Sequence, residues 1–267
     1  MNTSSNTQTV AFVLPAYNEE KDLPALLERI KTKMENQPFR YHVVVVDDGS
    51  KDRTSEIAIQ AASEMPVRLI RHQVNRGLGG AMQTGLSAAM KDADFIVTMD
   101  SDNSHDPIYV ADMVRHLNER PDCDLVIASR YQKGSEIKGL AYSRQLLSYA
   151  CFFTMKLLVP FENVRDYSTG FRCYRASVLH RVAEHYDGSL IEESGFVCQL
   201  ELLLKMRAIR SKAAEIPYVL RYDLKEGASK LRIWRTVKRY FAVLFKHRHR
   251  ASEATVRGLQ SRQPARA

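Results

Sequence analysis

Short runs of apolar and β-branched residues alternate with segments of helical periodicity along the first half of this 267-residue chain. The runs that predict strands are residues 10–14, 41–46, 67–71, 95–99 and 124–129. Strands that alternate with helices favour a mostly parallel sheet joined by right-handed crossovers. We therefore predict an α/β fold in which a mostly parallel central sheet is flanked by helices.

The second half of the chain has a less regular pattern. Residues 146–159 and 191–208 are typical of helices, and residues 164–174 resemble a strand. We predict a disordered tail over residues 1–9 and one domain over residues 10–230. A basic amphipathic segment over residues 231–250 and a mobile tail over residues 251–267 complete the chain.

Polar residues follow three of the predicted strands at the point where each strand ends. Pro15 begins the sequence PAYNEE after the first strand, Asp47 and Asp48 follow the second, and Asp100 and Asp102 follow the fourth. In parallel sheets, ligands bind beyond the carboxyl ends of the strands. The shared placement of these residues predicts one ligand site at that edge.

Asp100 and Asp102 stand two residues apart just after a strand. In extended backbone their side chains would project to the same side. Two carboxylates, with diphosphate oxygens completing the shell, are a common way of holding Mg²⁺ or Mn²⁺. The alternative is a solvated acidic turn, and the strand-end position favours the metal.

The other strand-end residues have two interpretations each. Asp47 or Asp48 could accept hydrogen bonds from a nucleotide base or a ribose hydroxyl, or could cap the next helix. The glycine-rich loop 75–80, which includes Gly79, could cradle a phosphate or simply form a turn. The sequence does not decide between ligand binding and a structural role for Asp47 and Asp48 or for the loop 75–80.

The balance of charge favours an anionic partner. Lysine and arginine number 39 against 31 acidic residues, which gives a net charge of +8. Nucleotide or lipid phosphates and an acidic membrane surface suit this charge, whereas no nucleic-acid-binding motif is present. The four cysteines are widely spaced, which argues against a zinc site and suits a reducing cytosol. Without a secretory signal or a run of about 18 apolar residues, we expect a cytoplasmic protein.

The segment 231–250 combines basic residues with an apolar stripe at helical spacing. The stripe consists of Ile233, Trp234, Val237, Tyr240, Phe241 and Leu244. Such a helix can lie peripherally on the inner face of the membrane, or it can pack its stripe on the domain. Both alternatives stay open.

Four motifs together resemble those of the inverting family-2 glycosyltransferases, which have the Rossmann-like, nucleotide-sugar-binding GT-A fold. The motifs are Pro15-Ala-Tyr-Asn-Glu-Glu20, Asp47-Asp-Gly-Ser50, Asp100-Ser-Asp102 and Ser168-Thr-Gly-Phe-Arg172. Over about residues 10–231 the chain is most similar to the polyprenyl-phosphate sugar synthases, typified by the dolichol-phosphate mannose synthases.

The resemblance implies a site for a nucleotide-sugar donor. Pro15, Tyr17 and Glu19 would line the base, with Asp47 beside them. The whole predicted donor site comprises Pro15, Tyr17, Glu19, Asp47, Asp48, Gly79, Asp100, Ser101 and Lys230. Asp100 and Asp102 would hold Mg²⁺ or Mn²⁺, and Gln199 matches the position of a further metal ligand.

The resemblance also implies a site for an acceptor phosphate. Arg130 matches an arginine that faces this phosphate, and with Asp100 and Asp102 it forms the predicted catalytic set. Arg144 and Ser148 match an arginine and a serine in a mobile acceptor loop. Arginine suits the task because it stays charged and binds phosphate bidentately. Arg221 and Lys230 resemble residues of the closing segment that contacts phosphates in this family, although the interval between them is longer than in the dolichol-type enzymes.

We therefore expect a metal-dependent hexosyltransferase that inverts the anomeric centre and uses a polyprenyl phosphate as acceptor. A hydroxyl acceptor on a glycan or small molecule is the alternative, and it would need a general base, for which Glu193 is the candidate. A nucleotide-binding regulator without catalysis is a further alternative. The sequence leaves the sugar, the choice of guanosine or uridine, and the oligomeric state open.

Overall fold

The computed structural model describes residues 7–140, 153–226, 239–240 and 242–244. Its strands are β1 (Thr9–Ala16), β2 (Arg40–Asp47), β3 (Val67–Arg71), β4 (Phe95–Thr98), β5 (Leu125–Ser129), β6 (Glu136–Lys138), β7 (Arg172–Arg175), β8 (Ala213–Pro217) and β9 (Val219–Arg221). Its helices are α1 (Leu23–Met34), α2 (Thr54–Ala61), α3 (Gly77–Ala89), α4 (Tyr109–Glu119), α5 (Ala176–His185) and α6 (Cys198–Ala208). Residues 153–158 are also helical, and a 3₁₀ turn covers Tyr222–Leu224.

Seven strands form one sheet in the order β3-β2-β1-β4-β7-β5-β8, and β6 pairs with β9 in a second, two-stranded sheet. Neighbours among β1 to β4 are parallel, as are β5 and β8. β7 is antiparallel to both of its neighbours, β4 and β5. The predicted α/β fold with a mostly parallel sheet is confirmed, with one reversed strand at its centre.

Two predicted elements of the second half are shorter than expected. Within the strand-like stretch 164–174, the strand begins at Arg172, because the carboxylate of Asp166 accepts the backbone N–H groups of Ser168 and Thr169 and curls the chain into a loop. The helix predicted over 191–208 begins at Cys198. The carboxylate of Glu201 accepts the N–H groups of Glu192 and Glu193, so these residues bond to a side chain rather than to a helix.

Each face of the large sheet is covered by its own core. In β1, Phe12 and Leu14 face the side that carries α1, α2 and α4, whereas Ala11 and Val13 face the side of α3, α5 and α6. This alternation is the period-2 pattern of a strand buried on both faces. The sheet therefore lies between two helical layers, and its strand ends are left for the site.

The described part of the C-terminal segment packs against the domain. Tyr240, Val243 and Leu244 are buried and join the core on the α3, α5 and α6 side. Tyr240 and Leu244 belong to the predicted apolar stripe, so this part of the stripe covers the core. The other members, Ile233, Trp234, Val237 and Phe241, lie outside the described residues. None of the described helices combines the length and hydrophobicity needed to cross a membrane.

Candidate functional site

The carboxyl ends of the parallel strands and the amino end of β7 meet along one edge of the sheet. β4 ends at Thr98, shortly before Asp100, and β5 ends at Ser129, directly before Arg130. Because β7 runs in the opposite direction, its first residue, Arg172, pairs with Thr98. The predicted motif at 168–172 is therefore brought beside the acidic pair.

A bend over residues 101–103 includes Asp102 and begins directly after Asp100, so the backbone does not stay extended across the pair as predicted. The side chain of Asp100 is 36% exposed and that of Asp102 only 11%. Oδ1 of Asp102 accepts hydrogen bonds from the N–H and the hydroxyl of Ser104, at 3.2 and 2.5 Å. Its Oδ2 lies 2.5 Å from Nζ of Lys225. Asp100 is thus the more open carboxylate of the pair.

The two carboxylates have opposite pKa shifts. Desolvation by the surrounding protein raises the pKa of Asp100, and the charge of Asp102 adds to this rise despite the opposing effect of His105. Desolvation acts in the same direction on Asp102, but Lys225 and then His105 outweigh it, so the pKa of Asp102 is lowered. A cation placed beside Asp100 would relieve the cost of its negative charge.

His105 lies beside the acidic pair and contacts Asp100. Its buried ring stacks on Phe171, with a centroid distance of 5.1 Å and an interplanar angle of 19°. Nδ1 accepts the backbone N–H of Asp100 at 3.2 Å, so a neutral ring carries its proton on Nε2, which lies 4.0 Å from Oδ2 of Asp100. His105 therefore holds the backbone of Asp100 by a hydrogen bond, and its Nε2 lies near the carboxylate without bonding to it.

Gln199 and Asp100 lie on two sides of the space above Gly170. A Cβ atom at position 170 would stand 2.9 Å from Oδ1 of Asp100 and 3.1 Å from Nε2 of Gln199, so a larger residue would fill this space. Among the described residues, Oε1 of Gln199 is buried and has no hydrogen-bond partner. A buried acceptor left in this state costs about 1–3 kcal/mol. The buried Oε1 fits a ligand for Gln199, but the amide nitrogen is the atom that faces Gly170, so a cation at this place would require the amide group to turn over.

The predicted metal ligands have donor chemistry suited to Mg²⁺ or Mn²⁺. Asp100 is the neighbour of Gln199 and interacts electrostatically with Asp102. In the part of the chain that the structure describes, no three His, Cys, Asp or Glu side chains form a complete metal site. Two carboxylates and one amide oxygen leave coordination positions that phosphate oxygens can fill. The residues therefore fit a cation that binds together with an anionic ligand.

Arg130 is held in place by Asp166. Its Nε and Nη2 donate to the two carboxylate oxygens at 2.8 and 2.7 Å, and Nη2 also donates to the hydroxyl of Ser168 at 2.6 Å. Burial lowers the pKa of Arg130, but Asp166 raises it by more, so the guanidinium stays charged. Glu215 accepts the backbone N–H of Asp166 at 2.7 Å and so fixes the chain at this residue.

The predicted base-binding loop, residues 15–20, is fastened to the loop after β2. Asn18 has a φ of 50°, a conformation that asparagine tolerates better than most residues. Its N–H donates to the hydroxyl of Ser50 at 2.9 Å, and the N–H of Glu19 donates to the hydroxyl of Thr54 at 2.9 Å. Tyr17 and Glu19 are half-buried at this edge.

Asp47 and Asp48 are buried and have partners within the protein. Asp47 accepts hydrogen bonds from the N–H of Ser50, at 2.8 Å, and from the hydroxyl of Ser55. Asp48 accepts the N–H of Arg76, directly before α3, at 2.8 Å. Neither carboxylate caps a helix, which was the alternative to base binding, because no described side chain caps α2 or α3 by a hydrogen bond. Asp47 instead fixes the turn before α2, and Asp48 fixes the residue directly before α3. Contact of either one with a base stays a prediction.

Gly79 and Ser101 were also predicted at the donor site, and both form hydrogen bonds with carbonyl groups of the protein itself. The N–H of Gly79 donates to the carbonyl of Ser194 at 3.0 Å, and a Cβ at position 79 would stand 1.6 Å from the carbonyl oxygen of Glu193. The glycine permits close packing of the 193–194 loop on α3. The hydroxyl of the buried Ser101 donates to the carbonyl of Pro15 at 2.9 Å and joins two strand ends.

The remaining predicted residues are spread over the second half of the chain. Oε2 of Glu193 lies 3.6 Å from Nε of Arg239. Arg221, at the end of β9, pairs with Asp223 at 2.9 Å. Within the described part of this segment, Lys225 rather than Arg221 reaches the acidic pair. Three predicted residues lie outside the described ranges: Arg144, Ser148 and Lys230.

The model of one protein family, described as "Glycosyl transferase family 2", matches residues 11–183. This range includes the acidic pair, Arg130 and the motif at 168–172. The chain belongs to glycosyl transferase family 2. The predicted family is confirmed, and with it the chain's place among the transferases.

Several curated relatives of this family-2 chain have names that specify a polyprenyl-phosphate acceptor. It is 31% identical to the dolichol-phosphate mannosyltransferase of Pyrococcus furiosus, over 84% of this chain and 59% of that protein. It is 30% identical to the undecaprenyl-phosphate mannosyltransferase of Micrococcus luteus, over 83% and 87% of the two chains. For the polyprenol monophosphomannose synthase of Mycolicibacterium smegmatis the identity is 28%, over 84% and 82%. The chain thus spans less than two thirds of the first relative and most of the other two.

Solved structures support the fold of this family-2 chain. Glucosyl-3-phosphoglycerate synthase from Mycobacterium tuberculosis, in complex with phosphoglyceric acid, gives a TM-score of 0.65 at 22% identity, over 90% of this chain and 80% of that one. Its complex with Mn²⁺, UDP and glucosyl-3-phosphoglycerate gives a TM-score of 0.66 at 21% identity, over the same shares. The predicted GT-A fold is confirmed.

Three residues that build the site were not predicted from the sequence: His105, Asp166 and Lys225. The first two stand within a few positions of a predicted motif, and an imidazole or carboxylate so placed is a natural candidate for orienting it. Lys225 has no such signal, because its contact with Asp102 joins residues 123 positions apart.

Proposed function

We propose that this family-2 transferase moves a sugar from a nucleotide-sugar donor onto a polyprenyl phosphate, with inversion at the anomeric carbon. One observation carries the proposal: the acidic pair and the charged, mostly buried Arg130 lie at the same edge of the sheet. The first suits the donor diphosphate with its cation, and the second suits an anionic acceptor. The names of the Micrococcus luteus and Mycolicibacterium smegmatis relatives support this acceptor class, with mannose as the sugar.

We propose Mg²⁺ or Mn²⁺ as the cofactor, held by Asp100, Asp102 and Gln199. When bound, such a cation neutralises the charge that develops on the departing diphosphate. The raised pKa of Asp100 favours a cation at this place, as does Oε1 of Gln199, which has no partner in the part of the chain that the structure describes. The complexes of glucosyl-3-phosphoglycerate synthase with Mn²⁺ or Mg²⁺ and UDP are consistent with this choice.

Arg130 is the proposed binding residue for the acceptor phosphate, with Arg144 and Ser148 as further contacts. A phosphate oxygen is already an anion, so it needs no general base and must only be brought into line with the anomeric carbon. Asp166 fixes the plane of the Arg130 guanidinium before the acceptor arrives. Attack from the acceptor side, with the diphosphate leaving on the opposite side, inverts the anomeric centre.

The base of the donor is proposed to lie against Pro15, Tyr17 and Glu19. The loop that carries them is fixed by hydrogen bonds to the loop after β2 and to Thr54, the first residue of α2. This proposal leaves guanosine and uridine as alternatives for the donor nucleoside. Measured binding of GDP and of UDP to the protein distinguishes between them.

We also propose that the protein works at a cytoplasmic membrane surface, because the chain of a polyprenyl acceptor resides in a bilayer. Leu157 and Leu158, on the helix 153–158, are 82% and 51% exposed. Apolar side chains of this size, beside basic residues, suit shallow contact with a lipid surface.

Transfer of radiolabel tests the proposed function. The protein is incubated with Mn²⁺, a polyprenyl phosphate in detergent and sugar-labelled GDP-mannose or UDP-glucose. We expect butanol-extractable label from at least one donor, loss of that label with EDTA, and a decrease of about 100-fold or more for Asp100→Asn. Asp112→Asn, on the exposed face of α4, is the matched control and should keep full transfer. Label recovered only in a glycan or water-soluble product would contradict the proposal that a polyprenyl phosphate accepts the sugar.

A further inference from the structure

Asp102 is already paired with a cation of the protein itself. Nζ of Lys225 lies 2.5 Å from Oδ2 of Asp102, and both side chains are mostly buried. The other oxygen of this carboxylate accepts the N–H and hydroxyl of Ser104. Both oxygens of Asp102 therefore have partners, and a divalent cation can use Oδ2 only when Lys225 leaves it.

The backbone on each side of Lys225 is tied down. The N–H of Arg221 donates to the carbonyl of Ser104 at 2.9 Å, and the N–H of Glu226 donates to Oδ1 of Asp22 at 2.9 Å. These bonds hold the segment against the loop after the acidic pair and against the start of α1. The side chain of Lys225 has several rotatable bonds, so its ammonium group can change partner while this backbone stays in place.

The charges of a bound cation and a bound diphosphate decide when it is favourable for Lys225 to leave Asp102. A divalent cation beside the ammonium group would repel it, and Asp102 alone cannot satisfy both charges. A diphosphate brings several anionic oxygens, which give the ammonium group a new partner. Departure of Lys225 from Asp102 is therefore favoured when cation and diphosphate are both present.

We propose that Lys225 exchanges between Asp102 in the donor-free protein and the diphosphate of the bound donor, and thereby couples cation binding to donor binding. This inference rests on the proposed function, because it requires a diphosphate at the acidic pair. In the donor-free protein Lys225 takes the place of the metal on Asp102 and weakens cation binding. In the donor complex it adds positive charge beside the leaving group.

Binding of Mn²⁺, followed by the electron paramagnetic resonance signal of the free ion, tests the coupling without turnover. The dissociation constant is measured with and without GDP or UDP, and the ratio of the two values is the coupling factor. For Lys225→Met we expect Mn²⁺ alone to bind more tightly, on the order of tenfold, and the coupling factor to fall correspondingly. Lys225→Arg keeps the charge and should keep a coupling factor close to that of the wild type.

Lys33→Met is the matched control, because it removes one exposed positive charge from the last turn of α1 and should leave the coupling factor unchanged. Lys225→Gln, which removes the same charge, replaces the methionine variant if thermal unfolding shows that the latter is not folded. An unchanged coupling factor in a folded, uncharged Lys225 variant would overturn the inference and leave the proposed function standing. Failure of the wild type to bind either nucleotide with Mn²⁺ would instead overturn the proposed function.

Discussion

Arg130 and Asp166 form a bidentate pair in which Nε and Nη2 lie 2.8 and 2.7 Å from the two carboxylate oxygens. Asp166 is fully buried and Arg130 nearly so. Arg130 follows β5, whereas Asp166 belongs to the loop before β7, so the pair joins two strands at the site edge. Removing one partner of such a pair leaves an uncompensated buried charge.

Asp166→Asn should therefore lower the free energy of unfolding by about 3–5 kcal/mol. Chemical denaturation at neutral pH measures this loss. Sugar transfer by the folded fraction should also fall, because Arg130 loses its fixed orientation. Asp112→Asn is the control: its partner is Arg115, and the two side chains are 57% and 65% exposed. A pair this exposed contributes at most about 1 kcal/mol, so equal losses in the two variants would contradict the interpretation.

The same pair predicts how stability depends on pH. Desolvation raises the pKa of Asp166, but the charge and hydrogen bonds of Arg130 outweigh it, and the pKa lies below the usual 3.8. A carboxyl with a depressed pKa in the folded state adds stability that is complete above its unfolded pKa and is lost as the pH falls through the folded value. The difference in stability between wild type and Asp166→Asn should thus be full above about pH 5 and shrink below about pH 4. A difference that is as large at pH 2 as at pH 7 would contradict this.

The parallel part of the fold could be predicted because its signals are local. The run Val43–Val46 is apolar on both faces and ends at Asp47, which marks a buried strand and its carboxyl end. The direction of β7 could not be predicted, because the four residues Arg172–Arg175 form a strand only by pairing with β4 and β5, which are distant in sequence. The motif 168–172 reaches the site because of that reversal.

Within the site, sequence placed Asp100, Gln199 and Arg130 together, and the structure brings them to one edge. The hydrogen bonds that Asp47 and Asp48 make within the protein could not be predicted from their motif. A carboxylate that follows a strand has the same sequence pattern whether it is buried or exposed. The burial of Asp47 and Asp48 depends on Ser55 and on the residues before α3. Contacts of this kind are set by tertiary packing, and no local pattern reports them.

Glu201 and Lys205 form a fully buried ion pair at 3.0 Å, one turn apart on α6. The carboxylate of Glu201 also accepts the N–H groups of Glu192 and Glu193, at 3.0 and 2.8 Å. Nζ of Lys205 donates to the carbonyl of Ser189 at 3.0 Å. The pair therefore holds the loop that carries Glu193 against the helix.

Lys205→Met should lower the free energy of unfolding by about 3–5 kcal/mol, because Glu201 keeps a buried charge without its partner. Glu201→Gln combined with Lys205→Met should recover part of this loss, since the fully buried charge is removed and the glutamine oxygen still accepts the loop N–H groups, whereas Glu192, the other partner of Lys205, is 33% exposed. Lys212→Met removes an exposed ion pair with Asp122 and serves as the control, with a loss below about 1 kcal/mol. A double variant less stable than Lys205→Met alone would contradict the charge argument.

Substitution of Gly79 distinguishes two possible roles of the glycine-rich loop 75–80, close packing and phosphate binding. A Cβ at this position would stand 1.6 Å from the carbonyl oxygen of Glu193 and 2.7 Å from its carbonyl carbon. Because backbone must move to relieve this overlap, Gly79→Ala should cost about 1–3 kcal/mol of stability or more. Gly195→Ala is the matched control, since its added methyl would meet Nη1 of Arg239 at an ordinary 3.7 Å.

Denaturation and nucleotide binding, measured on the same two variants, decide between packing and phosphate binding. If Gly79 serves packing, Gly79→Ala loses stability, whereas Gly195→Ala stays within about 0.5 kcal/mol of the wild type. Binding of GDP or UDP with Mn²⁺ by the folded Gly79→Ala protein should then change little, because the N–H of Gly79 is already given to Ser194. A variant that keeps its stability but loses nucleotide binding would instead assign this glycine to a phosphate cradle.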